Sequence, residues 1–326
     1  MQHAPGAPGK AALDACLNAL GESSPGCLAV VLEVFGHAYG KPGTLLHLAA
    51  DGRRCGWLSP GCLESEVVAA AGAAGTDLRA RLLDLDNRDL ADVFSGGGAG
   101  CRGRQRVLLL PLAALPGLRP LLQAYRTGDQ PLQLHYAQDG RLELRVAALA
   151  VEWALAAVPP PADSGCSMAN WALQLAPLPR ALIFGCGPES EILLPLLDRL
   201  GWRLDLVEAR RDWAVLGRLV ENHLAAAPTT HGGTYAAVLV MAHHFGADRE
   251  ALAELATWPR LPPYIGLLGP QARRDDLLAT LPAQVRTRLR DRVESPAGLT
   301  LGGRGAAAIA LSLAARLQML VAGAPA

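Results

Sequence analysis

The stretch Leu182-Ile183-Phe184-Gly185-Cys186-Gly187-Pro188-Glu189-Ser190 decides how this chain is read, because an apolar run enters a glycine-rich turn and leaves it in a helical pattern. A second apolar run, residues 203–207, follows the helical segment 189–200 and ends at the acidic Glu208. Strand, glycine turn, helix and acid-terminated strand are the layout of a dinucleotide fingerprint, in which glycines let backbone N–H groups approach a pyrophosphate. Two details depart from it. Ser190 stands where the third glycine belongs, and Glu189 and Glu191 put negative charge in the first helical turn, where a bound phosphate wants none. The plainer alternative is a tight strand-to-helix turn in which Gly185 and Gly187 serve only the backbone.

Downstream, strands are predicted at residues 236–241 and 264–267, with a helix near 248–257 between them. Alternation of this kind implies a parallel sheet covered by helices, so residues 179–326 read as a Rossmann-like domain. Ligands of open α/β sheets bind outside the carboxyl ends of the strands. His243 and Gly269, which follow the next two strands, therefore join Gly185 and Gly187 as candidates to line one crevice. His243 would donate to a ligand oxygen, and Arg273 or Arg274 would pair a phosphate. A local hydrogen-bonding role is the bland reading of His243.

Upstream, Pro159-Pro160-Pro161 cannot continue a helix or enter a central ladder, which marks residues 158–178 as a linker. Residues 1–157 alternate short strands and a few helices. Strands are expected at 28–35, 78–85, 105–111, 131–136 and 141–146, with a hairpin from 44–49 to 53–58 turned by Asp51-Gly52. Residues 62–73 read as a helix with Leu63, Val67, Val68 and Ala71 on one face. The first ten residues read as a mobile tail. The fold class is thus α/β, an N-terminal α+β domain followed by a C-terminal Rossmann-like domain with a parallel sheet.

Composition narrows the function. The chain has 326 residues, 51% hydrophobic and 18% charged, which is too apolar and too weakly charged for disorder. With 30 Lys+Arg against 30 Asp+Glu it lacks the excess positive charge that general nucleic-acid binding needs. No apolar run reaches the roughly 18 residues of a membrane span, and no signal-peptide core is present, so the expectation is a cytoplasmic protein with neither nucleic acid nor membrane as partner.

Seven cysteines show no CxxC pair or zinc spacing, so reduced thiols are expected. Cys101 sits in Ser95-Gly96-Gly97-Gly98-Ala99-Gly100-Cys101-Arg102-Gly103-Arg104, which reads either as a floppy surface loop or as a site where exposed N–H groups with Arg102 and Arg104 would hold an anion and favour a thiolate. Cys62 follows a Pro60-Gly61 turn and opens a helix, whose dipole also lowers a thiol pKa. Cys16, Cys27 and Cys55 lack such settings and read as small buried residues.

These pieces together resemble the XdhC/CoxI family of xanthine dehydrogenase accessory proteins. The resemblance rests on the run from Leu182 through Gly187 to Leu200-Gly201-Trp202, on Ala237-Val238-Leu239-Val240-Met241-Ala242-His243, and on Tyr264-Ile265-Gly266-Leu267-Leu268-Gly269. It extends to Ser295-Pro296-Ala297-Gly298-Leu299 and Ala308-Ile309-Ala310-Leu311-Ser312 near the end, and to Gly61-Cys62-Leu63-Glu64 and Gly100-Cys101-Arg102-Gly103 in the first domain. What it implies is a non-catalytic chaperone that binds the molybdenum cofactor, as molybdopterin or its cytosine dinucleotide form. Such a chaperone supports sulfuration with a cysteine desulfurase and delivers the product to a molybdoenzyme of the xanthine dehydrogenase or aldehyde oxidoreductase type. The cofactor would contact Cys62, Glu64, Cys101, Arg102, Gly185, Gly187, His243 and Gly269, with the thiols of Cys62 and Cys101 reaching the molybdenum centre. Family members are commonly dimeric, which makes a homodimer an expectation. A nicotinamide-dependent oxidoreductase using the Rossmann half is the competing reading.

Overall fold

The computed structural model describes residues 2–4, 9–59, 61, 64–86, 103–158, 170–228 and 235–321. Two compact units divide the chain, Met1–Pro177 and Leu178–Ala326.

The first unit contains two sheets. One has strands β2 (Cys27–Gly36), β3 (Leu45–Leu48), β4 (Arg54–Gly56), β5 (Ala80–Asp86), β6 (Gly103–Pro111) and β10 (Ala157–Val158), in the order β10-β5-β6-β2-β3-β4. The other is built from β1 (Gln2–Ala4), β7 (Leu132–Ala137), β8 (Arg141–Val146), β9 (Leu149–Ala154) and β11 (Asn170–Leu175), in the order β1-β11-β7-β8-β9. Helix α2 (Glu64–Asp77) covers the first sheet by burying Val67, Ala71 and Ala74 against Ala29, Val31, Val107 and Leu109. Helices α1 (Lys10–Ala19) and α3 (Leu118–Thr127) complete the unit.

Three expectations change here. Val68 is exposed rather than part of the buried face of α2, because it lies about 100° round the helix from Val67. Gln2–Ala4, expected as tail, pairs with β11. Residues 170–175, expected in the linker, form β11, whose Trp171, Leu173 and Leu175 alternate inward with period 2 and pair antiparallel with β7.

The second unit is a six-stranded, all-parallel sheet of β12 (Arg180–Phe184), β13 (Arg203–Val207), β14 (Asn222–Leu224), β15 (Ala237–Val240), β16 (Tyr264–Leu267) and β17 (Val293–Glu294). Its order, β14-β13-β12-β15-β16-β17, is the doubly wound arrangement, with the reversal of direction falling between β12 and β15. The central strands are buried on both faces. Ile183, Leu206 and Leu239 pack with Leu193 and Leu197 of α4 (Ser190–Arg199) and with Leu313 and Leu317 of α8 (Ala306–Val321). On the opposite face Leu182, Val238 and Ile265 meet α5 (Phe245–Leu255), α6 (Gln271–Ala279) and α7 (Ala283–Leu289). A 3-10 helix, Arg211–Leu219, replaces the second crossover helix.

Candidate functional site

The reversal between β12 and β15 opens a crevice where the Gly185–Gly187 turn meets the segment after β15. Gly185 has φ +78, and a Cβ there would stand 2.2 Å from the Ala242 Cα, so the two turns touch backbone to backbone. Ala242 N–H donates to Asp248 Oδ1 at 3.0 Å, and Arg273 holds the other Asp248 oxygen at 2.7 Å. This anchor sets up His243, a non-glycine residue at φ 55, in the left-handed region. The His243 Nε2 lies 2.8 Å from Glu189 Oε1. Glu189 is only 3% exposed in its side chain, whereas His243 is 43% exposed. A buried carboxylate thus orients a half-exposed imidazole, whose other nitrogen has no partner among the described residues. A Cβ on Gly187 would fall 2.2 Å from His243 Nε2 and 2.5 Å from Glu189 Oε1, so this glycine makes room for the pair.

The turn's N–H groups are already engaged. Cys186 N–H donates to Glu208 Oε2 at 2.9 Å, and Gly187 N–H donates to the buried Ser190 Oγ at 3.1 Å. Arg210 donates its Nε to Glu208 Oε1 at 3.0 Å, its Nη2 to Glu208 Oε2 at 2.6 Å, and the same Nη2 to the Cys186 carbonyl at 2.6 Å. Burial works to raise the Glu208 carboxyl, but the Arg210 hydrogen bonds, the Arg210 charge and the Cys186 N–H outweigh it and hold the group below the ordinary carboxylate range. Burial pushes the Cys186 thiol up to about 11, so it is not a reactive thiolate. The same cause takes Cys16 to about 12 and Cys27 to about 11, in line with their reading as buried residues, whereas Cys55, read the same way, lies on the edge strand β4 and is only half-buried.

The expected positive charges are spent elsewhere. Arg104 pairs with Asp84, Arg273 with Asp248, and Arg274 with Asp275 at 2.8 Å, so none of the three is set aside for an anion. Gly269, with φ +132, packs under Arg273: its Cβ would lie 2.7 Å from the Arg273 Cδ. The structure thus brings Gly185, Gly187 and His243 together. Cys62, Cys101 and Arg102 lie outside the described residues, and Glu64 is placed only as the first residue of α2. Among the described residues no cluster of three or more His, Cys, Asp or Glu could hold a metal ion. No helix among them is long and apolar enough to cross a membrane.

Sequence reading missed Arg210, Asp248 and the pairing of Glu189 with His243. The signal for Arg210 was its position two residues after Glu208 at a strand end. Glu189 and His243 are 54 residues apart, and only the strand order shows that they meet.

A two-unit protein with a doubly wound carboxyl-terminal unit, whose glycine turn is closed by its own side chains, is the class these features define. Residues 181–317 match the XdhC Rossmann domain, and residues 19–86 match the XdhC and CoxI family. The chain belongs to the XdhC/CoxI family. It is 25% identical to a probable xanthine dehydrogenase subunit of Bacillus subtilis (strain 168), across 94% of this chain and 95% of that protein. A crystal structure of a xanthine dehydrogenase from Bacillus halodurans has the same fold, with a TM-score of 0.75 at 23% identity, covering 95% of this chain and 96% of that one.

The molybdenum cofactor implied by the resemblance finds a divided reception among the described residues. A phosphate does not fit at Gly185–Gly187, because the N–H donors it would need are taken. A hydrogen-bonding heterocycle edge is compatible with the half-exposed His243 imidazole.

Proposed function

We propose that this chain is an accessory protein of a xanthine dehydrogenase-type molybdoenzyme, acting in the cytoplasm as a carrier of the molybdenum cofactor rather than as a catalyst. Three things support the reading: membership of the XdhC/CoxI family, the name of the Bacillus subtilis relative, and the crevice chemistry. The observation that carries it is the His243–Glu189 pair, a half-exposed imidazole backed by a buried carboxylate at the point of strand reversal. Such a pair suits a pterin, whose ring edge offers donors and acceptors to a polar side chain. Within this reading the thiols of Cys62 and Cys101 supply soft ligands toward the molybdenum, and Glu64 and Arg102 are further cofactor contacts. A cysteine desulfurase provides the sulfur, and the chain works as a homodimer.

The test is purification from cells with an active cofactor pathway and from cells lacking it, followed by oxidation and fluorescence detection of the released pterin. Near-stoichiometric pterin in the first preparation alone is the expected result. A well-folded protein without pterin in both would overturn the proposal.

A further inference from the structure

In dinucleotide-binding domains the acidic residue at the end of the second strand accepts hydrogen bonds from the adenosine ribose, and the glycine turn offers N–H groups to the pyrophosphate. Glu208 occupies that position, directly after β13. Its carboxylate already accepts four donors: Arg210 N at 2.7 Å and Arg210 Nε at 3.0 Å on Oε1, then Arg210 Nη2 at 2.6 Å and Cys186 N at 2.9 Å on Oε2. A carboxylate has about four lone-pair sites, so none is left for a ribose diol. On the turn itself, Gly187 N–H is held by Ser190 Oγ, and the space beside Gly187 is filled by His243 and Glu189. Buried Glu189 and the first-turn acid Glu191 add negative charge at the helix start, where a pyrophosphate would bring more.

We propose that Glu208, clamped by Arg210, is a built-in occupant of the nucleotide subsite, a specificity determinant that closes this Rossmann unit to nicotinamide and flavin dinucleotides. The turn keeps the fold of a nucleotide binder while its carboxylate takes the donor that a phosphate oxygen would use. Ligands that enter the crevice are then those recognised at the His243 side without an adenosine ribose or a pyrophosphate at the turn. This exclusion is a property of the second unit and does not depend on the carrier role. Removing the Glu208 carboxylate frees the Cys186 N–H and leaves the half-exposed Arg210 guanidinium without its counter-charge, which together make an anion site.

Calorimetric titration with NAD+, ADP-ribose and inorganic pyrophosphate tests this on the full chain, comparing the parent with Glu208→Ala and Glu208→Gln. The parent is expected to give no binding with any of the three at millimolar ligand. Glu208→Ala is expected to gain at least about tenfold in affinity for pyrophosphate and ADP-ribose, a change of about 1.4 kcal/mol. Glu208→Gln keeps the side-chain volume, shows a smaller gain, and serves if the alanine variant does not fold; near-ultraviolet circular dichroism confirms the fold of each. Binding of NAD+ by the parent would overturn the proposal, as would folded variants that gain nothing. Were neither variant to fold, the parent's own titration decides between the two outcomes.

Discussion

The parallel sheet buries a carboxylate at both of its ends, and the two settings differ in one respect that matters. At the amino end, Asp205 is fully buried and accepts from Arg180 at 2.5 Å, Tyr235 OH at 2.6 Å and Asn222 Nδ2 at 2.7 Å. Arg180 also lies over the Tyr235 ring at 4.8 Å, and Tyr235 stacks on Trp258. These partners brace β12, β13, β14 and the entry to β15 from inside. At the carboxyl end, Glu208 and Glu189 are also buried, but their partners Arg210 and His243 are each 43% exposed. Both networks reach water through some of their partners, Arg180 and Asn222 at one end and Arg210 and His243 at the other, but only the second pair lies at the crevice of the strand reversal, where an arriving molecule can compete for its members. The same acid chemistry thus serves cohesion at one end and selection at the other.

The largest effect is expected for Asp205→Ala. It strands the buried Tyr235 hydroxyl and the partly buried Arg180 guanidinium, so a loss of about 3–5 kcal/mol is expected from urea unfolding. A loss below about 1 kcal/mol would mean that the amino-end network is no brace. Next comes Gly187→Ala, whose Cβ must displace the imidazole from Glu189. A cost of about 1–3 kcal/mol is expected, together with an altered His243 imidazole resonance by NMR. An unchanged resonance would show that the pair does not need this glycine.

A subtler comparison uses pH. The folded Glu208 carboxyl lies below its ordinary value of 4.5, so its contribution to stability is present above that value and is lost as pH falls through the lower folded value. The stability gap between the parent and Glu208→Gln should therefore hold steady near neutrality and shrink in acid below about pH 4.5. A gap that widened in acid would reverse the sign of the argument. The smallest effect is expected for Glu294→Gln at the sheet edge, whose ion pair with Arg316 is partly exposed; a change within about 1 kcal/mol places it apart from both buried networks.

Much of the second unit is legible because each central strand is a short apolar run ended by glycine or a polar residue, and helices fill the intervals between them. The edge strands β14 and β17, with three and two residues, carry too little pattern to be read. In the first unit β11 is hidden by the proline-rich segment before it, and α1 by the glycines and prolines of the nine residues that precede it. Val68 goes to the wrong face of its helix because a shift of one position decides burial. Within the site, the turn and His243 are visible as residue types at strand ends. Their partners are not, since the meeting of Glu189 with His243 depends on strand order, and the folding back of Glu208 onto Cys186 depends on Arg210.

The carrier role of the crevice is tested most directly by the pterin content of the parent, His243→Ala and Glu208→Gln, all purified from cells with an active cofactor pathway and all checked for folding. Near-stoichiometric pterin is expected in the parent, a several-fold loss in His243→Ala, and retention in Glu208→Gln. A parent without pterin, or a folded His243→Ala variant carrying as much as the parent, would contradict it.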